Sequence, residues 1–363
     1  MQQESDRHIK EDAVLKKVPV VASLLGATLA ATAACGPNNP RAGGSGAADA
    51  AGPNTVRLGL LGIMSDAPIA IARERGYFEK FDVDVQIQEF DSGGDMVAPM
   101  ASGDLDAGGG AFSAGLVNSI AAGNGMEIVA DKGAFPTPEL GSQQFIVAES
   151  VADEIEELSD LKGRKIAVGT AEGTAPYVGV MDALKKAGIE DPRNATTSMK
   201  SSDVLVAMKQ GAADAAWLSE PNASLAISEG AAVAWKSAYD IAPKEQDATI
   251  FYRSEWAQEN PELAQNFMNA YVCGANDYLE GVAAGGAELE KVQQIIADYT
   301  ETNVEVVEHA HLPGYFYGAV PDTESIEHTV HLFVEAGDSP KALAIDEMVN
   351  LDYVNEAANA SCE

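Results

Sequence analysis

Val56-Arg-Leu-Gly-Leu-Leu-Gly-Ile-Met-Ser-Asp-Ala-Pro-Ile-Ala-Ile-Ala-Arg-Glu-Arg-Gly-Tyr-Phe-Glu-Lys-Phe-Asp-Val-Asp-Val-Gln-Ile-Gln-Glu-Phe90 is the stretch that decides the fold class. Its apolar residues first crowd into a short run, Val56–Leu61. They then recur at helical spacing through Ala67–Tyr77 and alternate with polar ones through Val83–Phe90. These three periods predict strand, helix and strand, the repeating unit of a parallel sheet.

The alternation continues downstream. Asp95–Ser102 reads as a helix, Leu105–Ala111 as a strand, Ser113–Ala122 as a helix and Glu127–Ala130 as a strand. A second round follows the apolar segment Gln144-Phe-Ile-Val-Ala148. Its strands are Lys165–Val168, Thr196–Met199, Asp214–Leu218 and Val233–Trp235, and its helices Thr174–Ala187, Ser202–Gln210 and Ala223–Glu229. Thr249–Tyr252 is an isolated apolar strand, and beyond it the chain reads as helical, with helices at Pro261–Leu279, Leu289–Ala297, Ser325–Ala336 and Tyr353–Ala358. Two α/β rounds joined by two isolated strands predict an α/β protein of two lobes with two crossing segments and a helical C-terminal tail. The expected boundaries are residues 55–144 with 250–363 for lobe 1, tail included, and 145–249 for lobe 2.

Upstream, Lys16 and Lys17 precede an apolar, Ala-rich run from Val18 that ends at Ala33-Ala-Cys35. A positive flank, an apolar stretch and small residues before the break describe an export signal over residues 1–34. The run is short for a membrane span and carries Pro19. Its ending predicts lipidation of Cys35, and the Gly/Pro/Ser-rich residues 35–54 then form a flexible tether. The formal charge of −33 belongs to the part beyond residue 34, because the leader's four acids cancel its four bases. Such an excess excludes nucleic acid and a bare anionic membrane surface as direct partners. With Cys35 lipidated, Cys273 and Cys362 remain as an even pair outside the cytoplasm. Spacing alone leaves open whether they bond or stay as a buried thiol and a tail thiol.

In open sheets, ligands bind beyond the carboxyl ends of the parallel strands. Those positions hold Ser65 and Asp66, Asp91-Ser-Gly-Gly94, Gly109-Gly-Ala-Phe-Ser113, Lys132, Thr170-Ala-Glu-Gly-Thr174 and Ser219-Glu-Pro221. Most lead into helices, whose first backbone N–H groups are natural seats for an oxyanion. Gly108-Gly-Gly110 lacks the spacing of a dinucleotide or phosphate loop, and no Gly-x-Ser-x-Gly elbow is present. His309, His311, His328 and His331 lie in the helical tail, which argues against a catalytic triad and leaves them as surface or half-buried residues. No catalytic residue, cofactor or metal is expected.

The chain resembles the solute-binding proteins of ABC importers of the nitrate/sulfonate/taurine and thiamine-pyrimidine type. The resemblance runs from Val56 to Asn359. It is carried by Ile71-Ala-Arg-Glu-Arg-Gly-Tyr-Phe-Glu79 with Val83-Asp-Val85, Ser92-Gly-Gly-Asp-Met-Val97, Gly103-Asp-Leu-Asp-Ala-Gly-Gly-Gly110, Asp160-Leu-Lys-Gly-Arg-Lys-Ile-Ala-Val168, Gly211-Ala-Ala-Asp-Ala-Ala-Trp217 with Glu220-Pro221, and Asn260-Pro-Glu-Leu-Ala264. It implies a type II periplasmic-binding fold that closes on a small solute and delivers it to an ABC permease and its ATPase. It further implies an extracytoplasmic, lipid-anchored, monomeric receptor. Carried over by position, the ligand-binding turns fall on Ser65, Asp66, Ser92, Gly93, Ala111, Phe112, Ser113, Thr170, Gly173, Thr174 and Glu220. Tyr177 is placed one turn further, to pack on a ligand ring.

Two residues depart from the family pattern: Asp82 stands where Gly is frequent, and Ser219 where an aromatic is. Lys132 as the only nearby base, facing Asp66, Glu172 and Glu220, favours a heteroaromatic or amine-bearing solute over nitrate or a simple sulfonate. A thiamine-pyrimidine synthase is the enzymatic alternative, but that enzyme needs a cysteine-rich iron motif and a consumable histidine, and neither occurs before the tail. A ligand-sensing receptor subunit without transport is the other.

Overall fold

The computed structural model describes Gly52 to Cys362. The export signal, Cys35 and most of the tether lie outside the described residues.

The opening strand–helix–strand forms as its periods dictate. β1 (Thr55–Leu60) pairs in parallel with β2 (Asp84–Glu89), Val56 opposite Val85 and Leu58 opposite Ile87. Between them, helix Ala67–Glu74 buries Ile69, Ile71 and Ala72. It stops before Gly76, whose φ of 74° is left-handed and costs glycine nothing. Asp82, at the family's frequent glycine position, likewise has φ 56° and accepts a hydrogen bond from Asn54 Nδ2 at 2.6 Å.

β3 (Ala107–Ala111), β4 (Met126–Ala134) and β10 (Gln246–Arg253) complete a first sheet of order β2-β1-β3-β10-β4. The second sheet has order β7-β6-β8-β5-β9, from β5 (Gln143–Ala148), β6 (Ile166–Val168), β7 (Thr196–Ser198), β8 (Ala215–Ser219) and β9 (Ala232–Ser237). Purely parallel construction is therefore corrected. The two crossing strands are not isolated: β10 lies antiparallel between β3 and β4, and β5 antiparallel between β8 and β9. Each arrives from the other lobe and so enters its sheet running the opposite way.

The tail is not confined to the first lobe. Helix Thr323–Ala336 packs on Ala175–Lys186 of the second sheet and on Ala114–Ala121 of the first. Its Ile326 and Phe333 belong to one buried core with Phe112, Phe135, Phe145, Tyr177 and Trp217. Arg193 of the second half pairs with Asp338 at 2.5 Å, while Asn118 of the first donates to Asp338 O at 2.9 Å. The described residues accordingly form one compact unit.

Helix Pro261–Ala284 lies against Ala67–Glu74. A Cβ on Gly274 would fall 2.9 Å from that of Ala72, so glycine permits this close approach. Cys273 on this helix is bonded to Cys362, Cα to Cα 5.5 Å. No described helix is long and apolar enough to cross a membrane.

Candidate functional site

A cleft of about 690 Å³ opens between the two sheets. Of the turns expected there, Ser65, Ser92, Gly93, Ala111 and Ser113 line it from the first half. Thr170, Gly173, Thr174 and Glu220 line it from the second.

Three expected residues do not. Asp66 lies fully buried behind Ser65, and Phe112 turns into the core onto Phe333, ring centroids 5.6 Å apart. Tyr177 is buried with the Arg193 guanidinium 5.6 Å over its ring. Side chains alternate sides at a strand end, so with Ala111 and Ser113 on the cleft, Phe112 must face away.

The glycine run has a packing role. A Cβ on Gly109 would lie 2.8 Å from Lys132 Cδ, and one on Gly110 2.9 Å from Gly93 Cα. Bare backbone lets the Lys132 stem cross the sheet and the Ser92-Gly93 turn close on β3.

Lys132 lies within β4 rather than after it, 1 % exposed. Its ammonium sits 2.7 Å from Asp66 Oδ1 and donates to Ser65 Oγ at 3.0 Å. Asp66 Oδ2 accepts from Ile63 N at 3.0 Å and Tyr299 OH at 3.4 Å. The expectation that Asp66 waits for a donor on the ligand is corrected, because its charge is met internally. Glu220 is corrected in the same way. Oε1 accepts from Gln144 Nε2, Ser224 Oγ and His311 N, at 2.6, 3.1 and 3.1 Å, and Oε2 from Ser224 N at 3.0 Å. It ties the turn before helix Asn222–Ser228 to β5 and the tail.

The first amides of the two opposed helices are also occupied. Ala114 N donates to Gly173 O and Ala175 N to Phe112 O, each at 2.8 Å, stitching the two halves across Ser113 and Thr174. Pro176 has no N–H, and Tyr177 N bonds Thr174 O. The first turn of Ala175–Lys186 therefore offers no free amide to an oxyanion.

Gln143 and Asp247 on the cleft wall were not expected. They stand at the start of the two crossing strands, Gln143 first in β5 and Asp247 second in β10, whereas the carboxyl-end rule searches only parallel strands. Gln143 Nε2 donates to Asp247 Oδ1 at 3.0 Å. Burial pushes the Asp247 carboxyl up to about 7, against the opposing pull of the Lys132 charge and the Gln143 bond. Asp131, behind the cleft, is likewise pushed up to about 7 by burial despite donors from Phe316 N, Gln246 Nε2 and Gly133 N. Burial also raises the Glu245 carboxyl well above its ordinary range.

These raised acids set a pH dependence. The folded chain holds protons that the unfolded chain releases between about pH 4 and pH 7, so their contribution is complete below pH 4 and lost as pH rises through 7. Urea unfolding is expected to give a larger free energy at pH 5 than at pH 8. An equal or smaller value at pH 5 would contradict the assignment.

A protein-family model described as the NMT1-like family matches residues 49–295. Solved structures with the same fold include the periplasmic aliphatic sulphonate-binding protein SsuA of Escherichia coli, 19 % identical with a TM-score of 0.65, covering 82 % of this chain and 92 % of that one. The periplasmic nitrate-binding protein NrtA of Synechocystis PCC 6803 is 17 % identical with a TM-score of 0.67, covering 85 % and 89 %. The alkanesulfonate-binding protein SsuA of Xanthomonas axonopodis pv. citri, bound to MOPS, is 20 % identical with a TM-score of 0.62, covering 82 % and 99 %. None of the curated proteins compared with the chain matches it. The expected two-lobed periplasmic-binding fold is the one these structures share.

Proposed function

We propose that this chain, which belongs to the NMT1-like family, is the solute-capturing component of an ABC importer, working outside the cytoplasm. The observation that carries this reading is the cleft itself. Two α/β halves enclose about 690 Å³, with both crossing strands reaching its wall and small polar turns from each half facing inward. Such a volume suits a small molecule. Ser65, Ser92 and Ser113 from one half and Thr170 and Thr174 from the other would contact the solute as the halves meet. Closure on a solute shifts the population toward the form that a permease can read.

Cys35 would carry the lipid, and residues 35–54 the tether that keeps a monomeric receptor near its permease and ATPase. Incorporation of labelled palmitate, lost in Cys35→Ser, tests the anchor. Among the described residues lining the cleft there is no His or Cys to serve as nucleophile or metal ligand, which favours binding over catalysis.

A thermal-shift screen with small polar and heteroaromatic solutes tests the capture reading. A true solute at 100 times its Kd stabilises the fold by about 2.7 kcal/mol, which for a chain of this size raises Tm by roughly 4 °C. A broad screen with no stabilising solute would count against the reading.

A further inference from the structure

Resting on the capture reading, we propose that the solute is a cation or strong N–H donor, an amine or amidine head, held by Asp247 and Gln143. A sulfonate or nitrate is not what this cleft accepts.

The first ground is the charge the wall can offer. Five acids line the cleft, Asp91, Glu172, Glu220, Asp247 and Asp338, against one base, Lys132. That base is already held by Asp66 and Ser65, both nearly inaccessible. A buried lysine with a carboxylate at 2.7 Å has little field left for a second anion. The two opposed helix ends give little of what lysine lacks. Gly173 O and Phe112 O take the first amides of the two helices that face each other across the cleft, and Pro176 removes another donor. The donors left on the wall are hydroxyls and turn amides, such as those of Ser92, Gly93 and Thr170, with no free positive charge beside them.

The second ground is what is left unpaired. Asp247 is 5 % exposed, and among the described residues its Oδ1 accepts from Gln143 while Oδ2 has no donor. Gln143 Oε1 is buried without a donor as well. Two acceptors on touching side chains match a head with two or more N–H groups. Leaving such atoms unmet in a closed cleft is costly, and a charged donor would answer that cost.

The third ground is how Asp247 comes to be there. Gln246 pairs with Ala134 and Ala248 with Gly133, so Asp247 is an extra residue between them. A bulge of this kind re-aims one side chain out of the ladder's alternation. The backbone is fixed on both sides. Phe112 N donates to Asp247 O at 2.9 Å, and the Gln246 side chain bonds Asp131, Gly133 and Ala248. The charged groups that Asp247 feels are Lys132 and Asp131 on β4 and Glu245 just ahead of it on its own segment. Apolar side chains of Met64 and Phe90 line the same cleft and suit a flat or aliphatic body behind the nitrogen head.

The test is isothermal calorimetry on the purified full chain with benzamidine, 4-aminopyridine and agmatine as cationic probes and methanesulfonate and nitrate as anions. At least one cation is expected to bind while neither anion does. Asp247→Asn is expected to keep its fold and Tm but to weaken that binding by about tenfold or more. Wild-type affinity is expected to fall as pH drops from 7 to 5, and that pH dependence to disappear in Asp247→Asn. Binding of an anion with affinity unchanged in Asp247→Asn overturns this inference and leaves the capture reading standing. If no probe binds and a wider solute screen is also silent, both fall.

Discussion

Lys132→Ala is expected to lower the free energy of unfolding by about 3–5 kcal/mol, the cost of leaving a buried charge without its partner. The ammonium it removes sits 2.7 Å from Asp66 Oδ1, and the two side chains are 1 % and 0 % exposed. Ser65 Oγ would lose its donor at 3.0 Å. The lysine stem also fills the space above Gly109, where even a methyl group does not fit, so truncation adds a cavity to the electrostatic loss. Urea unfolding of Lys132→Ala, Asp66→Asn and a Lys132→Met/Asp66→Asn double variant separates the terms. The double variant is expected to recover more than half of the Lys132→Ala loss, because it removes both charges. A Lys132→Ala chain within about 1 kcal/mol of wild type would show the pair to be solvated.

That ion pair also shows how far residue order reaches. The strand–helix–strand beginning at Val56 was legible because its periods differ, and the second round repeats them. Asp82 was legible as well: where the family favours glycine, the backbone is left-handed at φ 56°. Lys132 was legible as the base near the cleft, but not as a base already partnered. Nothing in the order of residues says that Asp66, some sixty positions earlier, ends against its ammonium. The same holds for Glu220, a plausible ligand contact until Gln144, Ser224 and His311 are seen around it. Asp247 and Gln143 were missed for a topological reason. They stand where antiparallel strands enter, and Asp247 is turned toward the cleft by a bulge that the hydrophobic pattern does not mark.

The tail offers the second large effect. Reducing the Cys273–Cys362 bond, or replacing both residues with Ala, is expected to lower stability by about 4 kcal/mol and Tm by roughly 6 °C. The bond closes a sequence separation of 89, and a long closed loop removes much freedom from the unfolded chain. What it anchors is a short element. Helix Asp352–Ala357 buries Val354 and Ala357 against the first sheet's core, helped by Tyr353 on Tyr252 at 5.1 Å and by Gln265 Nε2 donating to Tyr353 O at 3.0 Å. A six-residue helix is too short to hold by itself, and the bond fixes the chain just beyond it. Cys273 lines no part of the cleft, so solute affinity in the Cys273→Ala/Cys362→Ala chain should equal wild type. A reductant that frees both thiols, verified by alkylation and mass spectrometry, yet leaves Tm unmoved would show that the tail holds by packing alone. A loss of solute affinity at unchanged Tm would instead tie the tail to the cleft.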